Sequence, residues 1–513
     1  MTLYLDGHDY RYDVEQSLLA YFPNALPRYA EAADGAHIVS ALRTGASEAE
    51  SVTTLNIDGR TVRASARTRT QTHCDADGHG RGRLLRHCVK LSFYRAAKEL
   101  KGIHPPWGSL TGIRPAKLVT WLAGSKGITL DGAAKYLVTR YDVTPDRAEL
   151  ALAAARASEE CRKGMNPNEI SLYAGIPFCP TRCHYCSFVS RGVEGSAKLM
   201  EPYTDALARE MALAAQTVKR LGLRVVCVYV GGGTPTALPD GLLARVLAGI
   251  EDSFDLSALR EYTVEAGRSD TFTPGKMRLL RSAGADRISV NPQSMNIRAL
   301  RAIGRRHAPE DVYKAFDMAV AAGFKTVNMD VIAGLPTYAE DGETLTRETP
   351  DEFAYTIDEL LKLSPGPGNL TVHTLSRKKG SLIDSHESLF DGQGRQKTEN
   401  LSDVEKMISH TLKTLPLNGY APYYLYRQKR MAGAFENTGW TKQGQMGYYN
   451  IAMMEELQTI LAVGAGGVTK LVGPRSGLIR RCFNNKYPTE YIGSDKTKSN
   501  LKMVEEFYDF QGD

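Results

Sequence analysis

The sequence predicts an α/β protein whose middle third is an incomplete (β/α)6-type barrel, preceded by an α+β module and followed by a mostly helical extension. Three observations carry this. From about residue 170 to 375, short apolar runs alternate with helix-length amphipathic segments, the pattern of parallel strands joined by helical crossovers. Six such units can be counted, which fits a partial barrel better than a closed eight-unit one. The pattern on either side differs, giving predicted regions 1–165, 166–380 and 381–513.

In the first region, strand-like alternation (TLYLDG, then VTTLNIDGRTVRASA) gives way to helical periodicity in LLRHCVKLSFYRAAKEL. The Pro/Gly-rich PPWGSLTGIRPAKLV reads as a shaped loop. The helical run PDRAELALAAARASEECRKG leads to the polar linker MNPNEI. In the second region the strand candidates are ISLYAGI, VVCVYV, EYTVEAG, RISVNP, TVNMDVIAG and NLTVHTL, with helices such as EPYTDALAREMALAAQTVKRL and PEDVYKAFDMAVAAG between them. The third region holds a basic loop (SRKKGS), a helix near DVEKMISHTLKTL, an aromatic-rich segment and the Gly-rich AVGAGGVTKLV. Its last thirty residues are polar and read as peripheral.

The chain has 513 residues, enough to bury a large core without disulfides. Its +6 charge (64 Lys+Arg against 58 Asp+Glu) is concentrated. Residues 60–100 hold ten Lys/Arg and three acids, so that window is +7 and the remainder −1. The window reads as a solvated sheet face, a nucleic-acid surface or an attractor of acidic ligands, the first being the default. The N-terminus lacks the apolar core of a secretory signal, and no apolar run approaches the ~20 residues of a membrane span. Eight Cys are too few for a disulfide scaffold, which predicts a reduced, cytoplasmic protein.

Three of those Cys fall within eight residues, in Cys179-Pro-Thr-Arg-Cys183-His-Tyr-Cys186, just after a predicted strand. Three thiolates on one tight loop can ligate three irons of a [4Fe–4S] cluster and leave the fourth iron open to a substrate or cofactor. Zinc with a distant fourth ligand is the alternative, since His184, adjacent to Cys183, is badly placed to share a tetrahedral site. Polar residues then recur after successive strands: Gly231-Gly232-Gly233-Thr234-Pro235, Glu265, Gln293, Arg305 and Asp330. Loops at the C-terminal ends of parallel strands are where such folds bind ligands.

These motifs in this order resemble the radical S-adenosylmethionine (radical SAM) superfamily. YAGIPFC, CSF, GGGTPT, PQSMN with GRRH, and NMDVIAGLP are similar to the coproporphyrinogen dehydrogenase group, also called oxygen-independent coproporphyrinogen III oxidase. WGSLTGIRP and ENTGW–YYNIAMMEE–GAGG are similar to its HemZ-type branch, the likeness spanning about residues 105–470. The resemblance implies a [4Fe–4S] cluster on Cys179, Cys183 and Cys186. It implies SAM held by Tyr173, Gly232, Gly233, Thr234, Glu265, Gln293, Arg305 and Asp330, with no catalytic residue beyond cluster and SAM. It further implies a tetrapyrrole substrate, an electron donor such as flavodoxin or ferredoxin, and no nucleic-acid partner. The family reaction decarboxylates two propionates of coproporphyrinogen III to give protoporphyrinogen IX.

Two positions depart from the decarboxylases: Gly175 stands where they carry His, and Phe188 where they carry a fourth Cys. Relatives without that Cys include haem-trafficking proteins and haem-opening methyltransferases, which remain as alternatives. His73-Cys74 and His87-Cys88 form a weaker metal candidate, Tyr420–Tyr426 reads as packing, and Cys227 as core.

Overall fold

The computed structural model describes residues 1–22, 25–70, 79–188, 191–376, 381–382, 401–428, 435–473 and 477–512. They form two compact units. One is Met1–Leu152 with the segments Phe390–Ser402 and Arg427–Glu436, of which 401–402, 427–428 and 435–436 are described. The other is Ala153–Leu389, Asp403–Tyr426 and Asn437–Asp513.

The first unit is α+β. Its strands are β1 (Thr2–Asp6), β2 (Arg28–Tyr29), β3 (Ile38–Thr44), β4 (Glu48–Ile57) and β5 (Arg60–Arg69), in the order β2-β1-β3-β4-β5. β1 and β3 are parallel, joined through the helix Arg11–Tyr21, and β3-β4-β5 is a meander. Asp58 and Gly59, both at positive φ (53° and 72°), make the tight β4–β5 turn that a two-residue hairpin requires. The helices Arg11–Tyr21 and His79–Lys101 bury Val14, Leu18, Val89 and Phe93 with Leu3, Ile38 and Leu55 of the sheet. In the Pro/Gly-rich segment Trp107 is an anchor. It is 1% exposed, its indole donates to Glu436 at 2.7 Å, and Arg147 pairs with the same carboxylate at 2.9 Å.

Much of the +7 window is engaged locally. Arg83 lies over Trp121 (4.2 Å) and Arg86 over Tyr10 (5.8 Å). Arg67 pairs with Glu50 at 3.0 Å, Lys98 with Asp142 at 2.7 Å, and Arg95 donates to the Ser65 carbonyl. Cys88 is buried beneath β5 with its sulfur 3.1 Å from the Ala66 carbonyl, and burial raises its thiol pKa, so it is a core thiol. His73 and Cys74 lie outside the described residues.

The second unit is built on β6 (Glu169–Ile176), β7 (Phe178–Cys179), β8 (Arg191–Gly192), β9 (Arg224–Gly232), β10 (Glu261–Val264), β11 (Arg287–Ser289), β12 (Thr326–Ala333), β13 (Pro336–Tyr338), β14 (Leu345–Arg347), β15 (Asn369–Thr374), β16 (Ala421–Arg427), β17 (Glu436–Thr441), β18 (Thr459–Val463), β19 (Val468–Val472) and β20 (Ile479–Phe483). One sheet runs β16-β17-β15-β12-β11-β10-β9-β6-β18-β19-β20. The run from β6 to β15 is six parallel strands, the six read from the sequence. Helices cross between them, including Ala197–Arg220, Asp240–Ser253, Pro274–Ser282, Pro309–Ala321 and Pro350–Leu361. The described sheet does not close, so the architecture is an incomplete barrel.

The extension adds helices, as expected, and also five strands that lengthen the sheet on both flanks. β17 runs antiparallel beside β15, and β18 parallel beside β6. Its helix Tyr448–Glu455 packs Tyr449 against Cys227, Ile460, Tyr173 and Tyr229. The expectation of a peripheral tail is corrected. Tyr491, Val504 and Phe507 are buried, and Tyr491 donates to Glu210 at 2.5 Å, the carboxylate that also takes the Gly464 amide at 2.7 Å. A polar sequence can be packed when its few apolar residues recur on one helix face. Among the described residues no helix is long and apolar enough to cross a membrane.

Candidate cluster and S-adenosylmethionine site

β7 ends on Cys179 and pairs with β8, so the cysteine loop leaves directly from the C-terminal end of the β6 arm. The loop is pinned to the turn after the helix Ile297–Ala302. The His184 amide donates to Ile303 O at 3.0 Å, its Nδ1 lies 3.1 Å from Ala302 O, and the Thr181 hydroxyl donates to Gly304 O at 3.4 Å. His184 is therefore packing, which agrees with setting it aside as a ligand. None of Cys179, Cys183 and Cys186 is in a disulfide. No three His, Cys, Asp or Glu among the described residues converge as a single-ion site. A cluster instead needs its thiolates to reach three different irons.

Two guanidiniums face the loop, which suits the negative charge that bound thiolates gather. Arg268 Nη1 lies 3.6 Å from Cys183 Sγ and donates to Thr181, while its Nη2 pairs with Asp270 at 2.7 Å. Arg305 donates to Tyr185 Oη at 3.1 Å and to the Asn291 carbonyl, and the Cys183 sulfur is a further acceptor. On the opposite side the Thr234 hydroxyl lies 3.6 Å from Cys179 Sγ.

The glycine run is a cradle. Gly232 has φ +109° and donates to Glu265 Oε2 at 3.3 Å, and a Cβ there would sit 3.3 Å from Tyr173 Oη. A Cβ on Gly233 would lie 2.5 Å from Phe178 O and 3.0 Å from Cys179 Sγ. Only glycine lets the backbone come this close to the cysteine loop.

Glu265 follows β10 directly and accepts from Tyr229. Burial, with the Asp330 charge adding to it, pushes its pKa up to about 7. Burial acts on Asp330 in the same direction but is outweighed by His373, 3.9 Å away, and by Asn328, which donates at 2.9 Å. Asp330 is held below the usual carboxylate range. Two carboxylates are thus split, one ionised and one close to half-protonated at neutral pH.

Gln293 has φ +68°, a costly conformation for a non-glycine residue, fixed by its amide to Asp330 O (2.9 Å) and by the Ile332 amide to its own carbonyl (3.0 Å). Gln293 Oε1, Asn291 Oδ1, Arg305 Nε and both ring nitrogens of His307 are buried without a partner. Such atoms are expensive unless something meets them. Three cysteines outside any disulfide, a glycine cradle and orphaned polar atoms fit a cluster with a polar amino-acid nucleotide.

Two sequence expectations need correction. Arg305 follows a short helix and Asp330 sits inside β12, so neither is at a strand end. Both Nη atoms of Arg305 are engaged, leaving Nε for a carboxylate. Sequence reasoning missed Tyr185, Arg268, Asn291, Tyr229 and His373. Each lies between the cysteines, next to a recognised motif or on a counted strand, but a single Tyr, Asn or His there has no spacing signal.

The family model of the radical SAM superfamily matches residues 173–347. The chain is 35% identical over 418 residues, 80% of its own length and 79% of the relative's, to the oxygen-independent coproporphyrinogen-III oxidase-like protein HemZ of Bacillus subtilis (strain 168). It belongs to the HemZ-type, coproporphyrinogen oxidase-like radical SAM family. The radical SAM superfamily uses a [4Fe–4S] cluster and SAM, and those are the cofactors of this HemZ-type protein. It is also 29% identical to the haem chaperone HemW of Lactococcus lactis, over 49% of this chain and 60% of that one. Among solved structures, the coproporphyrinogen III oxidase HemN from Escherichia coli matches with a TM-score of 0.49 and 20% identity, covering 69% of this chain and 72% of that chain.

Proposed function

We infer that this HemZ-type protein oxidatively decarboxylates two propionates of coproporphyrinogen III to give protoporphyrinogen IX. The observation that carries the reading is that Gly233 and Thr234 close on Cys179 and Arg305 on Cys183, with Glu265 bonded to Gly232 and Gln293 to Asp330. The substrate class is supported by the HemZ likeness across four-fifths of both chains. When bound, cluster and SAM together supply a 5′-deoxyadenosyl radical that takes a hydrogen atom from the substrate. Each event removes that hydrogen atom, carbon dioxide and one electron from a propionate and leaves a vinyl group.

In this reading the chain's own residues bind and orient. Cys179, Cys183 and Cys186 hold the cluster. Gly232, Gly233 and Thr234 give the methionine amino group backbone and hydroxyl partners, and Arg305 Nε faces its carboxylate. Glu265, Gln293 and Asp330 take ribose hydroxyls and polar edges, and Tyr173, stacked 6.2 Å from Tyr229, walls the site. The Tyr173–Tyr229–Tyr449 stack excludes water from the side of the helix Tyr448–Glu455. A cytoplasmic location and a one-electron donor protein go with this reading.

A haem-delivery function is the second reading, favoured by Phe188, 63% exposed at the position where the decarboxylases carry a fourth Cys. The test is anaerobic reconstitution followed by reductant, SAM and coproporphyrinogen III. Protoporphyrinogen formed with matching 5′-deoxyadenosine supports decarboxylation. Stoichiometric haem binding without turnover supports delivery, and deoxyadenosine formed with haem alone supports haem methylation.

A further inference from the structure

The geometry points to the outer rim of the cysteine loop as the docking surface for an acidic, low-potential one-electron carrier protein. This rests on the cluster reading. An electron must reach the cluster from outside, and this rim is where the loop meets solvent. Phe188, two residues past Cys186, is 63% exposed. Arg191 is exposed on β8, the strand paired with Phe178 and Cys179. Arg182 is exposed on the loop itself, its carbonyl lying beside Gly304. Arg306, next in sequence to the loop-facing Arg305, has a side chain 69% exposed and reaches Glu194 at 3.8 Å. That contact ties the two edges of the rim together.

The rim therefore carries three exposed arginines and one exposed aromatic. Glu194, 85% exposed, opposes them, and Asp270 is already engaged by Arg268. Exposed positive charge together with one exposed apolar side chain matches the small, charge-steered contacts of electron-transfer encounters. Buried Arg268 and Arg305 carry the same sign inward to Cys183. In the step served, the carrier, a reduced flavin or iron–sulfur protein, is oxidised by one electron and the cluster is reduced by one, with no atom transferred.

The test uses the reconstituted full chain and reduced flavodoxin, an acidic flavin carrier, as probe, with dithionite as the small-molecule control. Cluster reduction is followed by stopped-flow loss of its visible absorbance. In the double variant Arg191→Glu/Arg306→Glu, reduction by flavodoxin at low salt should slow about tenfold or more, converging on the wild type as salt screens the charges. The dithionite rate should be unchanged. Phe188→Ala should slow the flavodoxin reaction a few-fold at any salt. Equal flavodoxin rates in variant and wild type, or a matching loss with dithionite, would overturn the proposal. A wild-type chain that takes up no cluster would instead sink the reading beneath it.

Discussion

The two ends of the same six parallel strands are built on opposite principles. At the N-terminal end the strand-start groups Glu169, Glu261, Arg287 and Asn369 are all answered from within the chain. Glu261 takes the amides of Tyr448 (2.6 Å) and Tyr449 (3.3 Å) and lies 3.5 Å from Arg287. Asn369 donates to Gln445 O at 3.0 Å and accepts from Arg287. At the C-terminal end Gln293 is strained, Glu265 carries a displaced pKa, and Asn291, Gln293, Arg305 and His307 have buried atoms with no partner. One end is finished by the chain itself, and the other is finished only by what it binds. Unsatisfied groups that would be faults in a core are the mark of a site.

The largest expected effect breaks the finished end. Glu261→Ala should cost roughly 3–5 kcal/mol in urea unfolding, because Arg287, its side chain 11% exposed, is left without its carboxylate and the Tyr448 and Tyr449 amides without their acceptor. A loss under ~1 kcal/mol would mean that end is no more structural than the other.

Next comes a pH effect behind the open end. Glu348, buried against Ser294 (2.5 Å), is pushed up to about 8 by burial, with Glu352 adding to it. A raised folded-state pKa means that the folded chain holds the proton longer than the unfolded one. Stability is then fully present below the unfolded value of about 4.5 and falls as pH rises towards 8. From pH 5 to 8 this group should remove on the order of 4 kcal/mol, and Glu265 somewhat less, from the apo-protein. Chemical unfolding across that range should flatten in Glu348→Gln. An unaltered slope would show that the carboxyl is solvated.

The smallest effect separates the ends most finely. Gln293→Gly relieves a positive φ and should move apo-protein stability by less than about 1 kcal/mol, while weakening SAM binding about tenfold. A large stability loss with unchanged SAM binding would make Gln293 a structural residue.

What was legible in the sequence follows the same division. The strands from β6 to β15 were readable because both of their faces are buried, which leaves apolar runs such as VVCVYV. The cysteine spacing and GGGTP were readable because the chemistry restricts both residue type and interval. β17 (ENTGWT) is wholly buried yet polar, since Glu436 and Asn437 are satisfied by Trp107 and the Thr374 amide rather than by apolar contact. No hydrophobic pattern announces such a strand. His373 and Tyr185 stayed hidden for a related reason, their roles resting on contacts distant in sequence with Asp330 and Arg305.

The most direct test compares SAM binding at the two ends of the sheet by calorimetric titration of the anaerobically reconstituted protein. Glu265→Gln, directly after β10, should weaken SAM tenfold or more, about 1.4 kcal/mol, whereas Tyr448→Phe, at the finished end, should bind within twofold of the wild type. Equal losses in the two variants, or a loss only in Tyr448→Phe, would contradict the assignment of the C-terminal strand ends as the cofactor site.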